Sequence, residues 1–159
     1  MGPEPIAQLF AQEYAPMVRL AHVLTGDRSI AEELVQEAFA RVWAKLDGLD
    51  DPARAAGYLR TTVVNLARSH HRRRRLGLRR AWGAPVSTDD GSTDRAERDA
   101  VLEGLRAIAP RQRECLTLRY LPGLSEAEVA AALGISPGSV KTHTSRGLAA
   151  MASRLEDDR

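Results

Sequence analysis

The sequence predicts an all-α protein made of two small helical domains joined by a flexible linker. Three observations carry that expectation: the composition, the spacing of apolar residues, and one polar stretch near the middle. Apolar residues reach 43%, ordinary for a folded chain, yet aromatics are only 4%. Valine and isoleucine are thin while Ala, Leu, Arg and Glu are plentiful, a composition suited to helices and not to sheets. A chain of 159 residues suffices for one ordinary domain or two small ones.

Ile6, Phe10, Met17, Ala21 and Leu24 recur at helical spacing, with Leu9 and Val18 beside them. They predict an amphipathic first helix that buries this stripe. Thr25-Gly26-Asp27 breaks the pattern, and Gly26 suits a left-handed C-terminal cap. Ser29 with Glu32 three residues on reads as a capping box. The helix it opens, about Ile30 to Leu46, carries Ile30, Leu34, Ala38, Val42 and Leu46 on one face. Phe39 and Trp43 form a neighbouring (i, i+4) pair. Residues 46–52 read as a loop, with Asp51 as N-cap and Pro52 at the first helical position. The next helix runs from about Ala53 to Arg75, with Gly57 as a potential break and Leu59, Val63, Leu66 and Ala67 on its buried side.

The stretch 83–93 contains Gly, Pro, Ser, Thr and Asp with Val86 as its apolar exception. It holds too little apolar surface for a core and reads as a tether. The expected division is therefore a first domain at 5–82, a linker at 83–93 and a second domain at 94–156.

In the second half, Val101, Leu102, Leu105 and Ile108 mark a helix that ends before Pro110. Pro110 opens another, carrying Cys115, Leu116, Leu118 and Leu121, and Pro122-Gly123 closes it. Ser125 and Glu128 form a second capping box, followed by inward-facing Val129, Ala130 and Leu133. Gly134 sits at a tight turn, Ile135 plugs the core, and Ser136-Pro137 supplies a cap and a first-turn proline. Val140, Thr144, Leu148 and Met151 continue the buried stripe of a last helix. Small Ala130, then Gly134 four positions later, then branched apolar Val140 six after that, is the spacing of a DNA-binding helix-turn-helix. Its second helix would present Ser136, Gly138, Ser139, Lys141, Thr142, Ser145 and Arg146 to a major groove. Lys141 and Arg146 suit phosphate contacts that fix register.

The net charge of +2 conceals an asymmetry. Seven arginines and no acid lie between Arg68 and Arg80, whereas 89–99 holds five acids against Arg95 and Arg98. Cations at a helix C-terminus are favoured by only ~0.3–1 kcal/mol each. Four consecutive arginines, Arg72 to Arg75, with Arg79 and Arg80 after them, exceed what the dipole requires and point to nucleic acid. A helix on the order of 30 Å long, at ~1.5 Å per residue, spans several phosphates, so binding should weaken with salt.

Other classes are excluded in turn. Cys115 is the lone cysteine, which rules out an intramolecular disulfide and a cysteine zinc cluster and reads as a small interior thiol. There is no apolar run of membrane-spanning length and no signal peptide in the first residues, so the expected location is the cytoplasm. Phosphate-binding glycine loops, nucleophile elbows and metal-ligand clusters are missing from the sequence. Neither an enzyme nor a cofactor nor a metal is expected.

The whole, from about Phe10 to Leu155, resembles an extracytoplasmic-function sigma factor of bacterial RNA polymerase. The segment 31–43 (AEELVQEAFARVW) is similar to the family's signature helix. Tyr58-Leu59-Arg60 with Asn65 and the arginines is similar to its minus-ten reading helix. Pro110 to Glu114, Leu118 to Tyr120, Ser136, Val140-Lys141 and Arg146 resemble its minus-thirty-five domain. The resemblance implies a region 2 helical bundle followed by a region 4 helix-turn-helix, directing promoter-specific transcription initiation. It implies that Glu33, Gln36, Glu37 and Arg41 bind the clamp helices of the polymerase beta-prime subunit, with the beta subunit as a further contact. It implies that Leu49, Arg60, Asn65, Arg68, Arg72, Arg73 and Arg75 meet the minus-ten DNA, Leu49 standing where relatives often carry a base-stacking aromatic. An anti-sigma factor is an implied partner class, and within holoenzyme the chain would lie in the nucleoid. The competing reading is a LuxR-like regulator that binds duplex DNA without polymerase, since 124–148 resembles that helix-turn-helix as well. The first half shows neither a receiver-type alternation of strands and helices nor a ligand-sensing domain.

Overall fold

The computed structural model describes residues 3–45, 51–77 and 93–157. Among them are seven helices and no strand: α1 (Pro3–Thr25), α2 (Arg28–Ala44), α3 (Pro52–Arg75), α4 (Thr93–Ala107), α5 (Pro110–Tyr120), α6 (Glu126–Leu133) and α7 (Pro137–Asp157). Helices α1, α2 and α3 pack on one another as one bundle, and α5, α6 and α7 form a second, joined by α4. Leu46, Leu49 and nearly all of the expected 83–93 linker lie outside the described residues; Thr93 begins α4.

The first bundle closes around Met17, Leu20, Val35, Val42, Leu59, Val63 and Val64, all fully buried. Gly26 takes φ 79° after α1, as a left-handed cap requires. The cap of α2, however, is Asp27 and not Ser29. Asp27 is extended at φ −139° and its side chain accepts from the Ile30 amide at 3.2 Å, which leaves Ser29 inside the first turn. The buried stripe of α2 falls on Ile30, Ala31, Val35, Ala38 and Val42, with Leu34 half-buried. Phe10 was expected in the core, yet it is 47% exposed. It stacks instead on Tyr14 and against Phe39, with ring centroids 4.8 and 5.0 Å away. Asp51 caps α3 through the Ala53 amide at 3.0 Å. Gly57 causes no break, and α3 continues to Arg75.

In the second bundle the Ser125/Glu128 capping box has both of its bonds, 3.1 Å and 3.2 Å. Gly134, at φ 67°, makes the tight turn between α6 and α7. Two expected core residues are corrected. Leu121 is the exposed cap of α5. The chain reverses at Gly123 (φ 70°), and the Leu124 amide donates to the Leu118 carbonyl at 3.2 Å, so Leu124 is the residue that turns inward. Leu148 is 46% exposed, and its neighbour Gly147 is buried. A Cβ at Gly147 would lie 2.9 Å from Leu116 Cδ1, so α7 crosses α5 at a point only glycine fits. Cys115 is fully buried, and burial pushes its thiol up to about 11, with Glu114 adding to the shift. Such a thiol is a packing group and not a reactive one.

Candidate nucleic-acid interface

Three surfaces contain the residues singled out from the sequence. On α2, a period of about 3.6 residues separates the buried stripe from a solvent face on which Glu33, Gln36, Glu37 and Arg41 are all exposed. Glu37 accepts from Arg41 at 2.8 Å across one turn. Trp43, at 56% exposed, stands at the end of this helix, a large apolar side chain that the spacing did not mark as a surface group.

On α3, Asn65, Arg72, Arg73 and Arg75 are exposed. At about 100° per residue, Asn65, Arg68 and Arg72 fall within one narrow strip, Arg75 close beside it and Arg73 further round. The unbroken helix holds this strip rigid from Pro52 to Arg75. His71, one turn behind it, donates from Nε2 to the Leu24 carbonyl and ties the basic end to α1. Arg60 and Arg68 belong to the same helix but are engaged elsewhere. Arg68 donates to Glu114 of α5 through Nε at 2.9 Å and Nη2 at 2.5 Å. Arg60 donates to Glu128 of α6 at 3.3 Å.

On α7, Ser136, Gly138, Lys141, Thr142, Ser145 and Arg146 are exposed and Ser139 is half-buried. The first turn is ordered by its own hydroxyls. Ser136 Oγ accepts from the Ser139 amide at 3.1 Å, and Thr142 Oγ1 donates to the Gly138 carbonyl at 3.1 Å. Val140, fully buried, anchors the opposite side. The helix therefore projects its N-terminal residues as a groove-reading helix must.

The acids that meet α3 differ in character. Burial pushes the Glu114 carboxyl above its ordinary value, although Arg68 beside it pulls the other way. The Ser125 amide, and then its hydroxyl, hold Glu128 below the usual range. Neither acid was marked by sequence reasoning as part of a site. Glu128 was visible only as a capping residue, and Glu114 only as the end of the Pro110–Glu114 segment that resembles the minus-thirty-five domain, with no contact role attached. Among the described residues no helix is long and apolar enough to cross a membrane, and no three metal-ligating side chains gather.

Comparison with known proteins agrees with both halves. The family model for sigma-70 region 2 matches residues 9–76, and that for sigma-70 region 4 matches 98–151. The RNA polymerase sigma-E factor of Streptomyces avermitilis is 35% identical over 141 residues, spanning 88% of this chain and 79% of that protein. The ECF RNA polymerase sigma factor BldN of Streptomyces coelicolor is 31% identical over 165 residues, spanning 98% of this chain and 62% of its own. The sigma factor RpoE from Bartonella quintana, solved with the anti-sigma factor NepR, has a TM-score of 0.78 at 25% identity, covering 96% of this chain and 98% of that one. The match of the first half to region 2 leaves the LuxR-like alternative without support. The chain belongs to the extracytoplasmic-function type of RNA polymerase sigma factors, which direct promoter-specific transcription initiation.

Proposed function

We propose that each of the three surfaces has one task. The exposed face of α2, with Glu33, Gln36, Glu37 and Arg41, docks on the beta-prime clamp helices of core RNA polymerase. Helix α3, through Arg60, Asn65, Arg68, Arg72, Arg73 and Arg75, together with Leu49 of the preceding segment, contacts opened minus-ten DNA. The start of α7, from Ser136 to Arg146, reads the minus-thirty-five duplex. The chain has no catalysis of its own: it works in the cytoplasm, positions polymerase at a promoter, and meets an anti-sigma factor as a further partner. The two modules, 5–82 and 94–156, act through a tether at 83–93.

The observation that carries this reading is the sidedness of α2. One side is sealed into the core by Ala31, Val35, Ala38 and Val42, each fully buried, so its charged side serves no packing purpose within the bundle. An exposed (i, i+4) pair such as Glu37–Arg41 stabilises a helix by only ~0.3–0.5 kcal/mol. Stability therefore does not explain the face.

The test exchanges the two charges. In Glu37→Arg/Arg41→Glu the helix keeps an ion pair at the same spacing while the surface pattern is inverted. Wild type should co-elute with core polymerase on size exclusion, and the double variant should elute alone with its helicity and Tm nearly unchanged. Equal co-elution by both proteins would remove α2 as the docking face. A wild type that does not bind at all would end the polymerase reading.

A further inference from the structure

Two arginines of α3 are engaged by acids of the other half. Glu114 accepts both bonds of Arg68, and its side chain is only 11% exposed. Glu128 accepts from Arg60, whose side chain is 18% exposed. The contact is more than two ion pairs. Helix α3 packs along α6, and α1 packs on α5 and α4, so that one buried apolar cluster runs through both bundles. Arg106 of α4 adds a bond to the Gly26 carbonyl at 3.3 Å.

The chemistry of this contact is that of a substitute ligand. An arginine pairs with a carboxylate through the same charge-assisted bonds that it offers a phosphate, and Glu114 takes two of them from Arg68, both on Oε2. The fit is incomplete, which marks it as a contact made to open. Arg60 Nε is buried with no hydrogen bond, and an unsatisfied buried donor weakens whichever state contains it. By contrast Asn65, Arg72, Arg73 and Arg75, and the α7 reading residues apart from Ser139, stay exposed in the same arrangement.

We propose that the chain latches itself shut, with Glu114 and Glu128 of the second bundle occupying Arg68 and Arg60 in place of the DNA strand those arginines are meant to hold. The latch rests on the assignment of both arginines to the minus-ten face. In the closed form the α7 reading helix and the α2 face stay exposed, but strand capture is blocked, and polymerase, which must spread the two bundles to engage both, binds only the open form. Polymerase or upstream DNA that draws the two bundles apart releases Arg60 and Arg68 at the moment they are needed. The closed fraction also lowers the apparent affinity for any partner that requires the open form, in proportion to the open population.

Small-angle X-ray scattering of the full chain tests the latch without polymerase. A closed chain of this length has a radius of gyration of about 15 Å. Glu114→Arg and Arg68→Glu, each checked for helicity by circular dichroism, should each expand the particle by several ångströms. The exchanged double variant, Arg68→Glu/Glu114→Arg, should return towards the wild-type value. Glu128→Gln combined with Glu114→Gln offers a milder route, because glutamine still serves the capping box. It too should expand the particle. The same glutamine pair should bind core polymerase more tightly, on the order of tenfold if the open form of wild type is about a tenth of the population. A wild type already as extended as the variants, or variants as compact as wild type, overturns the latch. Expansion with unchanged polymerase affinity overturns its inhibitory role. If no variant binds polymerase, the functional assignment fails, while the scattering comparison still decides closure by itself.

Discussion

Replacing Leu59 by alanine should destabilise the protein by about 2–5 kcal/mol, the range for emptying a fully buried leucine site. Leu59 is 0% exposed on the inner side of α3, in contact with the core that α1 and α2 complete. Because a domain's whole stability is about 5–15 kcal/mol, this one change removes a large part of it. Tm should fall by about 4–20 °C for a chain of this size. The neighbouring Arg54→Ala is the control, since Arg54 is exposed and such changes usually stay within about 0.5 kcal/mol. Chemical denaturation would read both. A loss below about 1 kcal/mol at Leu59 would mean that α3 is not seated as described. Polymerase binding should fail in this variant only as the fold fails, because Leu59 faces away from the charged face of α2.

The opposite pattern is expected for the triple change Arg72→Ala, Arg73→Ala, Arg75→Ala. All three side chains are exposed, so folding loses little beyond the helix-end charge effect of ~0.3–1 kcal/mol each. Binding to opened DNA should lose far more. Each single-strand phosphate neutralised contributes about 0.7 to the slope of log affinity against log salt. Removing three contacts should flatten that slope by about 2 and weaken binding roughly 100-fold near 0.1 M salt. Anisotropy titrations of holoenzyme on a pre-opened DNA fork, repeated across salt concentrations, would measure both quantities. An unchanged slope would show that these arginines are a solvated helix end and nothing more.

Much of the fold was legible because helical period is a local property. The stripes of α1, α3 and α6, the glycine turns at 26 and 134, and the Ser125/Glu128 box each depend on residues within a turn or two of one another. The misreadings arise where a residue several positions away decides the outcome. Ser29 carried the capping-box pattern, but Asp27, two residues earlier, reached the Ile30 amide first. Leu148 fitted the stripe of α7, yet the close crossing with Leu116 turns that helix so that Gly147 faces inward. Leu121 fitted the stripe of α5, but the reversal at Gly123 brings Leu124 inward in its place. Phe10 left the core for an aromatic cluster with Tyr14 and Phe39 on the bundle surface.

The candidate surfaces were legible for a related reason. Lys141, Thr142 and Arg146 are exposed because the period that buries Val140 dictates it. What no local pattern could reveal is which arginines are occupied. The Arg68–Glu114 and Arg60–Glu128 contacts join residues 46 and 68 positions apart, and they exist only once two separately readable bundles are set against each other. Charge runs indicate how many cations a helix presents; tertiary packing decides which of them are available.

The most direct test of the whole account is transcription by core polymerase reconstituted with this chain on fragmented chromosomal DNA, with the start sites mapped by sequencing. The account predicts a limited set of new starts that share two upstream elements at fixed spacing. Those starts should be lost with Glu37→Arg/Arg41→Glu, and lost as well when Lys141 and Arg146 are both changed to alanine. Starts no different from those of core polymerase alone, while the chain binds the same DNA without polymerase, would contradict it.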